Sequence, residues 1–107
     1  RETVRRAAVK ALGEIEAPGV PDLLRAALLD ESGLVRQQAV ASLGKVQAPE
    51  TAAALLPLLD DADPRMRFVT LRALGSLRNP EVVARVHLSD VWVQYKLNMV
   101  EVADGRS

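Results

Sequence analysis

Side chains able to do chemistry are few in this sequence. Asp60, Asp61 and Asp63 form the densest carboxylate cluster, in "DDADPR". A calcium loop would need further oxygen ligands, a glycine at the turn and a distal bidentate glutamate. Arg65 and Arg67 follow instead, and a loop running into a helix N-terminus, where negative charge is favoured, accounts for the cluster. The single histidine, His87, precedes Leu88 and is expected as a solvent-facing or half-packed side chain rather than a ligand or proton carrier. There is no Gly-rich phosphate loop, nucleophile elbow or Ser/His/Asp set. With no cysteine, disulfides and thiolate metal sites are excluded. Catalysis by this chain is not expected, and neither a cofactor nor a metal is implied.

Arginine is the residue whose spacing says more. Arg5, Arg36 and Arg67 stand 31 residues apart, and so do Asp30 and Asp61. An Asp–Arg ladder stitching adjacent structural units is the expectation, with a basic rail for an acidic ligand as the functional alternative; arginine forks suit both. The same interval governs the elements that carry them. "VRRAAVKALGEI" (Val4 to Ile15) returns as "VRQQAVASLGKV" (Val35 to Val46) and "MRFVTLRALGSL" (Met66 to Leu77). With Val4, Val35 and Met66 as position zero, apolar residues fall at zero, four, five, eight and eleven, a helical stripe rather than strand alternation. Leu12, Leu43 and Leu74 occupy position eight, and Gly13, Gly44 and Gly75 position nine. Glycine inside a helix costs about 1 kcal/mol relative to alanine, so three at one phase predict a neighbouring backbone too close for a side chain.

The intervals hold a second helix each. Ala17-Pro18, Ala48-Pro49 and Asn79-Pro80 are also 31 residues apart, and proline fits the first turn of a helix. Leu24 and Leu28 align with Leu55 and Leu59, and Asp63 with Pro64 can cap and start the next motif helix. A hairpin of two helices cannot bury its stripe alone, but stacked copies can. In the fourth copy Asp90 and Val93 match Asp63 and Met66 only 27 residues on, while Val82 and Val86 still match Leu55 and Leu59. The phrase then decays, with Gln94 for arginine and Asn98 in an apolar slot. Seven helices are expected, near 4–15, 20–29, 34–46, 50–60, 65–77, 80–88 and 91–103.

Composition agrees with this architecture. The chain has 107 residues, is 49% apolar, and holds one Phe, one Tyr and one Trp, so its core is aliphatic and suits helices better than a sheet sandwich. Fourteen basic residues balance fourteen acidic ones, which supplies no global field toward nucleic acid or anionic lipid. No apolar run approaches the roughly 18 residues that span a bilayer, and no signal peptide is visible. The cytoplasm is the expected location, and no membrane partner is expected. The chain starts at Arg1 within a repeat and is expected to be a piece of something longer, with "GRS" read as a cloning remnant.

The pattern D-x-x-V-R-x-x-A-V-x-x-L-G at this period resembles the short HEAT-like repeats named after phycobilisome lyases. The resemblance covers nearly the whole chain and is clearest in the first three copies. It implies an all-α, right-handed α-solenoid of about three and a half helical hairpins, each sheltering its neighbour. The expected division is a half repeat over 1–16 and repeats over 17–47, 48–78 and 79–104. Proteins with similar repeats include bilin lyase subunits, a deoxyhypusine hydroxylase, DNA glycosylases and scaffolds, so fold does not carry function. The hydroxylase's paired His-Glu dipeptides have no counterpart here.

Positions two, six, ten and thirteen lie opposite the core stripe and are expected to line a concave surface. Position two reads Arg6, Gln37, Phe68 and Tyr95; position six reads Lys10, Ala41, Arg72 and Met99. With Trp92, Gln38 and Lys45 added, the face grades from basic and polar to aromatic. The last helix, with Val93, Leu97 and Val100 on its core-facing side and Trp92, Tyr95 and Met99 on the other, is apolar all round and calls for cover on both faces. The expected function is a non-catalytic scaffold that binds a protein or peptide in this groove. Phe68, Trp92 and Tyr95 serve as apolar anchors, Arg6, Lys10, Lys45 and Arg72 attract acidic groups, and Gln37, Gln38 and Met99 complete the binding face. The rivals are an accessory subunit of a bilin lyase and, disfavoured by the zero net charge, a nucleic-acid-binding module. Self-association through the open N-terminal end or the apolar last helix is also expected, because helix 4–15 lacks an outer partner.

Overall fold

Loop chemistry decides where the motif helices begin. The structure, a computed structural model, describes residues 1–46, 50–77, 93, 94, 96, 97 and 99. Asp63 keeps an extended backbone, its carboxylate accepts the Arg65 N–H at 2.9 Å, and Pro64 fills the first turn of a helix over Pro64–Ser76. One repeat earlier the Ser32 hydroxyl accepts the Val35 N–H at 3.4 Å and opens the helix Gly33–Val46. Two residues ahead of each cap, Asp30 and Asp61 tie the loop by accepting the N–H of Ser32 (2.8 Å) and of Asp63 (2.9 Å). In chain order the elements are α1 (Glu2–Leu12), α2 (Val20–Ala27), α3 (Gly33–Val46), α4 (Thr51–Leu55) with a 3₁₀ segment (Leu56–Asp60), and α5 (Pro64–Ser76).

α2 starts at Val20 as expected, and one boundary further on differs for a reason that lies with proline. Pro18 does not start α2. It sits inside a turn closed by the Val20 N–H on the Ala17 carbonyl at 3.1 Å, with Gly19 at φ −89°, ψ −5°; this is a type I turn with proline at its second place. Pro21 takes the first helical turn instead. The single helix expected over 50–60 is two pieces, because Pro57 has no N–H for the Ala53 carbonyl and its ring would collide with it. The chain tightens to 3₁₀ winding from Leu56 to Asp60, which the missing bond permits. α1 also stops short, at Leu12 rather than 15, where Gly13 closes it. Gly44 stays inside α3, which is flanked on both sides.

Packing forms two layers. α3 lies between α1 and α5, α2 packs on α3, and the 3₁₀ segment packs on α5. The described residues are all helix, turn and loop, with no strand. Val35, Ala39, Val40 and Leu43 of α3 are buried, as are Met66, Thr70, Leu71 and Leu74 of α5, against Leu24, Leu55 and Leu59 from the second layer. These are the expected stripe positions, and Leu43 and Leu74 are fully enclosed; each contributes about 1.5–3 kcal/mol by burial. The first copy carries the same residues but less cover: Leu12 is half-buried and Val4 is 65% exposed.

The glycine expectation holds where it can be read. A Cβ on Gly13 would stand 2.7 Å from the Cβ of Ser42, and one on Gly44 would stand 2.9 Å from the Cβ and 3.0 Å from the Cα of Ala73. Position nine of each motif helix therefore abuts position seven of the next. For Gly75 nothing among the described residues comes within 4 Å, and its counterpart Val100 lies outside them. Hydroxyls fasten the same seams: Ser42 donates to the Val9 carbonyl at 3.0 Å, and Ser76 donates to the Gly44 carbonyl at 2.9 Å.

The helices expected over 80–88 and 91–103, with His87, Trp92 and Tyr95, fall largely or wholly outside the described residues. Val93 and Leu97 correct one expectation. Assigned to the core-facing stripe, they are 51% and 54% exposed. Hairpin stacking buries a stripe only where a neighbour lies against it, and these two side chains meet too little of the array to be covered.

Candidate functional site

Positions two, six and ten of α1, α3 and α5 face away from the second layer, because positions zero, four, five and eight are spent on the core. On α1 both Arg6 and Lys10 are exposed. On α3, Gln37 and Ala41 are half-buried between flanking helices. On α5, Phe68 is 48% exposed and Arg72, one turn further along the same ridge, is also exposed. Met99 is 47% exposed. Trp92 and Tyr95 lie outside the described residues, and on α1, α3 and α5 positions two and six of the expected face are held by Arg6, Lys10, Gln37, Ala41, Phe68 and Arg72.

Two expected members belong elsewhere. Gln38, at position three, donates from Nε2 to the Ser42 hydroxyl at 3.3 Å; it supports the α1–α3 seam instead of pointing into a groove. Lys45 stays exposed, but its ammonium lies 3.7 Å from the Glu14 carboxylate. Both are at position ten, so the ion pair joins equivalent points of adjacent repeats. Arg6, Lys10 and Arg72 have no ion-pair partner among the described residues.

The arginines at position one are structural. Arg5 forks onto Asp30 of the next repeat, Nε to Oδ1 at 2.9 Å and Nη2 to Oδ2 at 3.2 Å. The Arg5 guanidinium, helped by the Ser32 N–H, holds the Asp30 carboxyl below its usual range. The ladder does not continue in that form. Arg36 turns back to the Asp30 carbonyl at 2.6 Å, and Arg67 likewise to the Asp61 carbonyl at 2.7 Å. Asp30 thus takes two arginines, one on its side chain and one on its backbone, and the expected rung from Arg36 to Asp61 is absent. A planar fork satisfies loop carbonyls as readily as carboxylates, which is why spacing alone did not distinguish them. Asp61 and Asp63 are likewise engaged in capping, and among the described residues no three His, Asp or Glu side chains converge as a metal site would require.

A family model described as HEAT repeats matches residues 27–87, more than half of the chain. The chain belongs to the HEAT repeat family. A second model, described as the PBS lyase HEAT-like repeat, matches residues 4–30, which include α1 and α2. No curated protein and no solved structure matches the sequence. HEAT arrays are helical-repeat scaffolds that mediate protein interactions, and no described helix is long and apolar enough to cross a membrane.

In this HEAT array the sequence pattern missed three polar residues that matter to packing. Ser42 and Ser76 carry the hydroxyl seams; the signal for Ser42 was the small residue at position seven, where Ala11, Ser42 and Ala73 align, whereas Ser76 stands at position ten with Glu14 and Lys45 and had no such signal. Thr51, fully buried, has no hydrogen-bond partner for its hydroxyl among the described residues. Its equivalent 31 residues earlier is Val20, and that comparison was the available clue.

Proposed function

We propose that this chain is a cytoplasmic, non-catalytic HEAT scaffold. In this reading a half repeat over 1–16 and repeats over 17–47, 48–78 and 79–104 form a right-handed superhelix of seven helices. It captures a protein or peptide along the ridge made by positions two and six. The observation that carries the reading is the exposed pair Phe68 and Arg72 on α5, in line with Arg6 and Lys10 on α1. Aromatic and arginine side chains dominate binding hot spots, and neither Phe68 nor Arg72 is needed to fill the core.

Panning a randomised peptide library displayed on phage against the wild type and against Phe68→Ala with Arg72→Ala tests it. Peptides enriched on the wild type should lose binding to the double variant, while its helical content and melting stay unchanged. Equal retention by both proteins refutes the reading.

The match of residues 4–30 to the PBS lyase HEAT-like repeat favours one second reading, an accessory role in bilin attachment. Incubation with bilin and an apo-phycobiliprotein, followed by visible absorbance, separates the two.

A further inference from the structure

Charge on the ridge is one-sided. Across α1, α3 and α5 its six places at positions two and six are Arg6, Lys10, Gln37, Ala41, Phe68 and Arg72: three cations and no acid, in a chain whose formal net charge is +0. All three cations are exposed. Two acids flank the ridge on its α1 side: Glu14 lies 3.7 Å from the Lys45 ammonium, and Glu2, one turn before Arg6, accepts a hydrogen bond from the Ser32 hydroxyl. Cations at the two ends of an otherwise uncharged strip define a spacing as well as a sign.

Resting on the groove reading above, we infer that the ridge selects an extended acidic peptide with two carboxylates six residues apart and an apolar side chain between them. Lys10 and Arg72 share position six, two motif helices apart. Neighbouring helices packed through small residues lie about 8–10 Å from axis to axis, so the two cations are separated by roughly 16–20 Å. An extended chain advances about 3.3 Å per residue, and the separation corresponds to five or six residues. Alternation of side chains along such a chain decides between these numbers, because only an even interval points both carboxylates at the ridge. The first carboxylate meets Arg72, the apolar side chain rests on Phe68, and the second carboxylate meets Lys10 with Arg6. Gln37 and Ala41 offer the middle of the peptide neither charge nor bulk. Nucleic acid fits the strip less well, since three cations around an apolar centre give few phosphate contacts.

Fluorescence anisotropy with two labelled peptides of identical composition tests the spacing. One is Glu-Ser-Leu-Ser-Gly-Ser-Glu, the other Glu-Ser-Leu-Glu-Gly-Ser-Ser. The first should bind about threefold to fivefold tighter, the ratio expected of one additional exposed ion pair. Lys10→Glu should abolish that advantage and leave the second peptide unaffected, and high salt should remove it as well. Equal affinity for the two peptides, or no binding of either at millimolar concentration, overturns the inference. Library peptides that still bind in a Phe68-dependent way would then preserve the groove reading, whereas their absence removes both.

Discussion

Alanine at Gly44 should destabilise the array, whereas alanine at Gly75 should stabilise it, although both glycines hold position nine of the same phrase. In isolation each exchange favours the helix by about 1 kcal/mol. At Gly44 the new methyl carbon would lie 2.9 Å from the Ala73 Cβ and 3.0 Å from its Cα, against an optimum of about 3.5–4.0 Å. One of the two offending atoms is backbone, so no rotamer relieves the clash and α3 must draw away from α5 by about half an ångström or more. A gap of that size forfeits a quarter or more of the dispersion well along the seam, and overpacking of this kind costs about 1–3 kcal/mol. The Ser76 bond to the Gly44 carbonyl, 2.9 Å long, is strained in the same movement, for about 1 kcal/mol more. Subtracting the helical gain leaves a net loss of about 1–3 kcal/mol at Gly44, against a gain of about 1 kcal/mol at Gly75. Thermal unfolding followed by circular dichroism should show the Gly44→Ala midpoint lower by some 5–20 °C and that of Gly75→Ala higher by about 4–8 °C. Gly13→Ala belongs between them, since α1 has a neighbour on one flank and can yield. A Gly44→Ala protein as stable as wild type would refute the close approach of α3 and α5, and with it the stacking register.

Thr51→Val should raise the melting midpoint, because it replaces a fully buried hydroxyl that has no partner among the described residues with the residue that Val20 already supplies one repeat earlier; relief of about 1–3 kcal/mol is expected, and a lower midpoint would contradict the burial of that side chain. Asp30 gives a pH signature. Its folded-state carboxyl is held down, first by Arg5 and then by the Ser32 N–H, so its contribution is complete above the ordinary aspartate range and is lost as pH falls through the lowered value. Asp30→Asn should therefore melt below wild type at neutral pH, with the difference closing in acid, and a difference constant across pH would show that the fork contributes nothing through charge.

Much of this architecture is legible because the stacked faces repeat. The stripe residues from Val35 to Leu43 and from Met66 to Leu74 could be placed by phase alone, since each copy solves the same packing problem with the same residue types. Position nine could be read as a close approach for that reason, and Gly13 and Gly44 bear it out. What could not be read depends on chemistry that several partners satisfy equally. Arginine serves a carboxylate at Arg5 and loop carbonyls at Arg36 and Arg67, with the same spacing in sequence. Pro18 and Pro21 compete for one helix start, and the turn closed on the Ala17 carbonyl decides it. Gln38 and Lys45 belong to the polar face by phase, yet the Gln38 amide finds Ser42 one turn further along α3 and the Lys45 ammonium finds Glu14 across the seam.

The internal copies also argue where function resides. A position that must meet the neighbouring hairpin takes the same residue type in each copy: Leu12, Leu43 and Leu74 at position eight, glycine at position nine, small residues at position seven. Off the core stripe the copies diverge, as position two does through Arg6, Gln37 and Phe68, and position six through Lys10, Ala41 and Arg72. Stability does not require an aromatic ring 48% exposed to water, nor a guanidinium beside it without an ion-pair partner among the described residues. Burying Phe68 against a ligand would recover apolar area that the folded chain leaves wet, and the neighbouring charge would restrict which ligand does so. Positions three (Ala7, Gln38, Val69) and ten (Glu14, Lys45, Ser76) differ between the copies as well, so divergence marks the faces turned from the core, and the ridge of positions two and six is the part of them along which the proposed extended partner would lie.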